Sequence, residues 1–367
     1  MAIDTTKRPK MEYAHLEGGW GGKVASEIHE RLAPFTASDG DRRAKMPESN
    51  WYLPKEKTFE EYSKELAPVF YMTRRDGIIE ARVHTIRNDG TDGGLVWGTT
   101  PHAYVHKLFE YVGADRDAEV LIFGGSGTDF FESIGPRDCY RDSSKPFQPL
   151  SEFDNDYDWQ LFDHQFYDGT HDIEYEVQVC NIPTIGVWNG GSFHSDLFLL
   201  TDITIATEDA WTTEQHFRLG MVPGDGVQIV WRNLMGRKRF AYAELTGEII
   251  TARKALAWGM INEIQPDLDA AYKRANEIAD LIMHSGTRQT RRLTTSILRY
   301  PWKEDIAKEL HGSFATEMWN TRTEASPHDA LYWEIAIAEA HANQEAEKKG
   351  KVVRPRLGAF IEEDPIK

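Results

Sequence analysis

Residues 212–231, TTEQHFRLGMVPGDGVQIVW, carry a histidine and an aspartate, His216 and Asp225, inside a largely apolar stretch. Nine positions is not a same-face helical spacing. The intervening GMVPGD holds two glycines and a proline, so a folded-back turn can bring both side chains to one pocket. An aspartate that accepts a hydrogen bond from one ring nitrogen fixes the histidine tautomer and stabilises the imidazolium, leaving the other nitrogen to take a proton from water. The alternative is a buried pair with a purely structural role.

A second group lies in NGGSFHSD, residues 189–196, where His194 and Asp196 follow an apolar run at a glycine turn that can approach a ligand closely. A histidine there can donate a hydrogen bond to a carbonyl or a developing enolate, the task of an electrophilic stabiliser. The plainer reading makes His194 a residue at a helix N-terminus and Asp196 its cap. His84 ends the strand-like EARVHT, a position more often structural than catalytic, and Trp97 in GLVWGTT reads as pocket wall or core.

Other patterns lead nowhere. GGSGTDF lacks the Gly-Lys-Ser/Thr ending of a phosphate loop and the third glycine of a dinucleotide fingerprint, and His102 and His106 lack the glutamate of a zinc H-E-x-x-H pair. His194 and Asp196 with a later histidine mimic an iron facial triad. The α/β pattern is wrong for the β-rich barrels that carry one, so no metal is expected. No G-x-S-x-G elbow is present, which removes the ordinary serine hydrolase.

The elements that must hold these residues alternate strand and helix from about residue 58. Thr58 and Glu61 form a capping box opening a helix at FEEYSKELA. Strands are expected at GIIEARVHT, AEVLIFGGSG, IPTIGVWNGG and DITIATED, and helices at residues 101–114, 159–178 and 194–200. Strands ending in glycine turns favour a layered α/β fold whose sites collect at those turns. After Gly247 the chain is mainly helical. Residues 1–57 read as an extension with one short helix at KVASEIHERLA, residues 58–265 as the core, and residues 266–367 as a helical C-terminal region and tail.

Composition narrows the function. With 40% hydrophobic residues and no apolar run near the roughly 18 that a membrane span needs, a soluble globular chain is expected. A net charge of −17 argues against nucleic acid as a partner. The N-terminus shows no secretory signal pattern, and only two cysteines, Cys139 and Cys180, are present, which suits a reducing compartment such as the cytoplasm.

From about Phe59 to the 340s the chain resembles the crotonase, or enoyl-CoA hydratase/isomerase, superfamily. The likeness rests on IPTIGVWNG, on TDITIATEDAWTTEQHFRLGMVPGDG and on LTGEIITARKALAWGMINEI, in that order. It implies a crotonase-like spiral of ββα repeats with a helical C-terminal region, usually assembled as a homotrimer or hexamer. The departures from the hydratase pattern point further. The triple-glycine turn is replaced by Gly190-Gly191-Ser192-Phe193-His194, the hydratase glutamate by Gln215-His216, the second one by Asp196, and Ala-Gly-x-Asp by FFESIGP with Glu132 nearby. In these changes the chain is similar to the branch of 6-oxocamphor hydrolase and related β-diketone hydrolases, which cleave carbon–carbon bonds without coenzyme A.

That likeness implies His84, His194, His216 and Asp225 as active-site positions. His216 held by Asp225 is then expected to deprotonate a water that attacks one carbonyl of a cyclic 1,3-diketone, with His194 or His84 steadying the enolate that leaves, and no cofactor. Trp97, Phe193, Trp211, Phe217 and Trp231 are expected to line an apolar pocket for a small diketone, with Glu132 and Asp196 beside it. Two other readings stay open: an atypical enoyl-CoA hydratase, isomerase or acyl-CoA hydrolase using Asp196 and Glu132, and a non-catalytic binding subunit of the same fold.

Overall fold

A computed structural model describes residues 56–86, 92–97, 99–134, 159–324, 329–355 and 361–365. The helix expected at KVASEIHERLA, the acidic stretch at 151–158 and Cys139 lie outside the described residues.

The described chain opens with helix α1 (Phe59–Glu65), capped as expected. The Thr58 hydroxyl accepts from the Glu61 N–H, and the Glu61 carboxylate accepts from the Thr58 N–H. Strands β1 (Phe70–Arg75) and β2 (Ile78–Val83) form a hairpin whose two turn residues, Asp76 and Gly77, both have positive φ, as a tight two-residue turn demands. A short antiparallel pair, β3 (Thr85–Ile86) with β4 (Asp92–Gly93), and strand β5 (Leu95–Trp97) lead into helix α2 (Thr99–Ala114). Strands β6 (Val120–Gly124) and β7 (Phe131–Ile134) follow, then helix α3 (Trp159–Gln178), β8 (Thr184–Trp188), β9 (Gly191–Ser192) and the single-turn α4 (Asp196–Leu199). Next come β10 (Ile203–Thr207), β11 (Trp211–Thr212), α5 (Val227–Met235), α6 (Arg237–Thr246), β12 (Ile250–Thr251), α7 (Ala252–Trp258) and β13 (Glu263–Gln265). Four long helices succeed them: α8 (Leu268–Ser285), α9 (Arg288–Leu298), α10 (Tyr300–Glu324) and α11 (Asp329–Lys348). The tail adds an antiparallel pair, β14 (Val352–Arg354) with β15 (Ile361–Glu363).

The main sheet has the order β1-β2-β6-β8-β10-β13 and is parallel from β2 onward. VLIFG and TIGVW, on β6 and β8, are buried at every position, because a parallel sheet has helices on both faces. Alternate residues serve opposite cores. Ile78, Val120, Ile122, Ile185, Val187 and Ile205 pack against Ala271, Tyr272, Ala275 and Ala279 of α8. Ile79, Ala81, Leu121, Phe123, Trp188 and Ala206 face the larger core shared with α2, α3 and α5. Each large aliphatic side chain so buried contributes about 1.5–3 kcal/mol.

Two small pairings carry the chain from the sheet to the site. Beyond β8, β9 runs parallel to β11 with Gly191 opposite Trp211 and Ser192 opposite Thr212. Extending that register sets His194 beside Glu214, two residues short of His216. In the other pairing, β5 lies parallel to β7 and brings in Trp97, with α2 starting two residues later.

The C-terminal helices are bound into the core by Arg299, which is 2% exposed. Its guanidinium donates to both Asp202 oxygens, to the Thr184 hydroxyl and to the carbonyls of Glu176, Cys180 and Ile182. Among the described residues no helix is long and apolar enough to cross a membrane.

Candidate active site

Asp225 reaches the site from a loop that only glycine permits. A Cβ on Gly224 would lie 2.3 Å from the Ser313 carbonyl oxygen of α10, and Gly226 has φ +130. Gln228 ties the turn by donating to the Gly224 carbonyl and accepting from the Gly226 N–H, and the Ser313 hydroxyl donates to the same carbonyl. The turn thus sits against α10, the helix that supplies Glu317.

His216 is the centre of the group. Its Nδ1 lies 2.5 Å from Glu214 Oε1, and the same oxygen accepts the His216 backbone N–H at 2.9 Å. Its Nε2 faces Asp225 Oδ2 and Glu317 Oε1, each at 3.6 Å. Asp225 Oδ2 is also 3.1 Å from Nδ1 of His194, while Asp196 Oδ1 is 3.8 Å from that nitrogen. The rings of His194 and His216 stand edge to face with centroids 6.0 Å apart. Trp97 lies 4.5 Å from the ring of His194 and 4.3 Å from that of His102, and Phe193, stacked on Phe131, flanks His194.

The electrostatics divide the two histidines. Burial alone disfavours a charged imidazole, but Glu214, Asp225 and Glu317 outweigh it and hold His216 well above the ordinary histidine range. Burial, reinforced by the nearby His216 and His102, pushes His194 down to about 3, so it is neutral at pH 7. Asp225 is kept below the usual carboxylate range despite its burial, because His194, His216 and His102 surround it. Burial and the Asp225 charge raise Glu317 to about 7, and burial with Glu214 raises Glu244 to about 8. Asp196, buried and near Asp225, is raised well above its ordinary value. The site therefore holds one imidazolium among carboxylates that share a limited number of protons.

His216 Nε2, Asp225 Oδ2 and Glu317 Oε1 lie within 4.8 Å of one another, the only spacing among the described residues that fits a metal ion. It equally fits one water molecule. An ion there competes with the Nε2 proton for one lone pair, whereas a water accepts a hydrogen bond from it.

The positions expected from sequence separate into two groups. His216, Asp225, His194, Asp196, Trp97 and Phe193 are brought together. The partner of His216 needs correction: Glu214, not Asp225, holds its first nitrogen, and Asp225 lies between the two imidazoles. Asp196 is the first residue of α4 and Ser195 the cap position, with no side-chain capping bond. His84, just past the end of β2, has its Nε2 2.9 Å from the Ala67 carbonyl oxygen and its ring stacked on Tyr71 at 3.7 Å. Trp231 belongs to the core, donating to the Ser195 hydroxyl, and Trp211 packs on Gly191 within the β9–β11 pair. Phe217 is 54% exposed and so is not part of a buried wall. The side chain of Glu132, on β7, lies outside the described residues.

Sequence reasoning missed Glu214, Glu317 and His102. Glu214 stands two residues before His216, and its signal was a charged group in the same apolar stretch. His102 was considered only as a zinc ligand. Glu317 sits 101 positions from His216 on an ordinary-looking amphipathic helix, and no local pattern marks it.

Residues 159–310 match the family described as Enoyl-CoA hydratase/isomerase. A curated relative, the probable peroxisomal enoyl-CoA hydratase 1 of Arabidopsis thaliana, is 25% identical over 179 residues, 48% of this chain and 60% of that protein's length. Among solved structures, a beta-diketone hydrolase from the cyanobacterium Anabaena sp. PCC 7120, bound to (S)-3-oxocyclohexyl acetic acid, is similar with TM-score 0.60 and 27% identity, over 70% of this chain and 95% of that one. An enoyl-CoA hydratase from Mycobacterium avium subsp. paratuberculosis K-10 shares the fold, with TM-score 0.58 and 17% identity over 72% of this chain and 95% of that one. Residues 159–310 thus match a crotonase-family domain, and the parallel-rich sheet with its helical C-terminal region has the crotonase fold.

Proposed function

We propose that this chain hydrolyses a carbon–carbon bond of a cyclic 1,3-diketone by a retro-Claisen reaction, with water as nucleophile and with neither metal nor organic cofactor. The observation that carries the reading is the triangle of His216 Nε2, Asp225 Oδ2 and Glu317 Oε1, backed by Glu214 on the other nitrogen of the same ring. A water seated there lies within hydrogen-bonding reach of all three atoms. Glu214 secures the Nδ1–H, so Nε2 is the nitrogen that exchanges protons. Glu317, at about 7, gives the His216–Glu317 pair a group that can take up the water's proton and release it near neutral pH.

Water attack forms a carbon–oxygen bond at one carbonyl, and the released proton passes to the His216–Glu317 pair. The tetrahedral intermediate re-forms its carbonyl and breaks the adjacent carbon–carbon bond. The electron pair moves onto the carbon between the two carbonyls and is spread onto the second oxygen as an enolate. The stored proton then returns to that carbon, giving a keto acid. An imidazole on the far side of Asp225 that carries a free N–H is the group suited to hold the enolate oxygen. Positioned acid–base catalysis supplies about 10²–10⁴-fold, and an oxyanion donor about 10²–10³-fold. The similar beta-diketone hydrolase was solved with a keto acid bound, which supports this product class.

The test is turnover of a panel of cyclic and bicyclic 1,3-diketones, followed by absorbance and by incorporation of ¹⁸O from labelled water into the acid. We expect single-oxygen incorporation and its loss in His216→Ala. A panel without turnover, or an unaffected variant, contradicts the reading. The similarity to an enoyl-CoA hydratase keeps a coenzyme A thioester reaction as the alternative, and micromolar binding of acetyl-CoA would favour it.

A further inference from the structure

Two imidazoles, His194 and His102, stand with ring centroids 6.0 Å apart beside Asp225, and they are not equivalent. Neutral His194 has a single ring proton. Its Nδ1 lies 3.1 Å from the carboxylate of Asp225, which draws that proton to Nδ1 and leaves Nε2 an acceptor. His102 differs. Its Nδ1 is 2.7 Å from Oδ2 of Asp172, a residue of α3 that is 2% exposed, and the other Asp172 oxygen, Oδ1, accepts the His106 N–H at 3.2 Å.

We propose that Asp172 is a positioning residue that keeps the His102–Asp172 pair electrically neutral, so that His102 presents an Nε2–H to the site as the donor that holds the substrate's enolate oxygen. This rests on the retro-Claisen reading for its chemistry, whereas the proton placement rests on the geometry and burial of the pair. A neutral pair carries two protons, one in the short Oδ2–Nδ1 bond and one on Nε2. Whether the shared proton sits on oxygen or nitrogen, Nε2 remains a donor. Only an anionic pair, with one proton on Nδ1, leaves Nε2 bare. That state adds a buried negative charge to a region already holding Asp168, Asp225 and Glu317, with no lysine or arginine paired to Asp172 among the described residues. Burial, aided by Asp168, raises Asp172 well above the carboxylate range, and burial lowers His102, both in favour of the neutral pair.

Asparagine at position 172 makes the assignment testable, because Oδ1 is committed to the His106 N–H. The amide oxygen must take that place, which turns the NH₂ toward His102 Nδ1. Such an amide supports Nε2–H and opposes Nδ1–H. The full chain, labelled with ¹⁵N-histidine, is examined by long-range ¹H–¹⁵N correlation, with His102→Gln used to assign the ring. We expect His102 as Nε2–H, or as the doubly protonated ring, in the wild type and as Nε2–H in Asp172→Asn. With a diketone substrate, Asp172→Asn keeps kcat within about threefold, whereas Asp172→Ala lowers kcat by about 10–100-fold with KM changed much less. A wild-type His102 protonated only on Nδ1, or Asp172→Asn as damaging as Asp172→Ala, overturns the proposal. If no diketone is turned over, the ring spectrum still decides where the proton sits.

Discussion

The carboxylate of Asp225 lies between two imidazoles, with Oδ2 3.1 Å from His194 Nδ1 and 3.6 Å from His216 Nε2. One acid therefore governs both a neutral histidine and a charged one. Asparagine there keeps the shape and removes the charge that orients His194 and helps hold the proton on His216. We expect Asp225→Asn to lower kcat for diketone cleavage by about 10²–10⁴-fold, with little change in far-ultraviolet circular dichroism. Retention of more than a tenth of wild-type kcat would show that the charge of Asp225 is dispensable.

Glu214 makes a separable contribution. It binds the Nδ1 edge of His216 and the backbone N–H of the same residue through one oxygen, so it sets both the tautomer and the ring's direction. Glu214→Gln offers an amide whose NH₂ group repels Nδ1–H and whose oxygen accepts more weakly. The expected fall in kcat approaches about 10⁴-fold, the scale seen when a histidine base is left in the wrong tautomer. Equal rates for Glu214→Gln and wild type, measured at saturating diketone, would remove Glu214 from the site's chemistry.

The metal-sized spacing at His216, Asp225 and Glu317 gives a contrasting expectation. Because an ion there displaces the Nε2 proton and the nucleophilic water, added zinc should inhibit, more strongly as pH rises. Dialysis against a chelator should leave turnover unaltered. Loss of activity on chelation, restored by one divalent ion, would assign the triangle to a metal instead.

How much of this was legible in the sequence follows from how local each feature is. The four expected strands and the Thr58 cap are encoded within a few residues, and each lies where its pattern placed it, whereas β1 and its Asp76-Gly77 hairpin were not read. His194, His216 and Asp225 share one loop system and were visible as a group. Glu317 and Asp172 were not, since each belongs to a helix whose pattern shows only amphipathicity, and only the packing of α10 and α3 turns one carboxylate inward. His84 ends the expected strand against Ala67 and Tyr71, while His102, one helical turn into α2, stands beside Trp97 and near His194.

The crowded carboxylates also make stability depend on pH. Glu317 titrates at about 7 and Glu244 at about 8, both raised from 4.5 by burial first and by neighbouring Asp225 and Glu214 next. A group that binds its proton more tightly when folded contributes stability below its unfolded value and loses it as pH rises through the folded one. His194, lowered to about 3, and His106, lowered to about 4 by burial, act oppositely, but their contribution stops growing above 6.5. Between pH 6.5 and 8, Glu244, Glu317 up to its value near 7, and His216 from 6.5 upward all lose stability as pH rises. We expect the melting temperature to fall across that window and the slope to flatten in Glu317→Gln and Glu244→Gln. A flat wild-type profile, or identical slopes in all three proteins, would contradict these proton affinities.

Arg299 sets a different test, of the frame rather than the site. Its side chain joins the start of α10 to Asp202, to Thr184 on β8, to the Glu176 carbonyl on α3 and to the Cys180 and Ile182 carbonyls between α3 and β8, so the helix that delivers Glu317 is registered to the strand that leads to His194. Removing a buried charge partner leaves its counterion and carbonyls unsatisfied, at a cost of about 3–5 kcal/mol. Arg299→Met fills much of the volume but none of the bonds, and lysine reaches too few acceptors to replace the planar fork. Urea unfolding of both variants should show midpoints well below wild type with unchanged slope, the methionine variant more affected. If Arg299→Met unfolds at the wild-type midpoint, α10 is held by apolar packing alone, and the alignment of Glu317 with His216 must be attributed to the contact between Ser313 and Gly224.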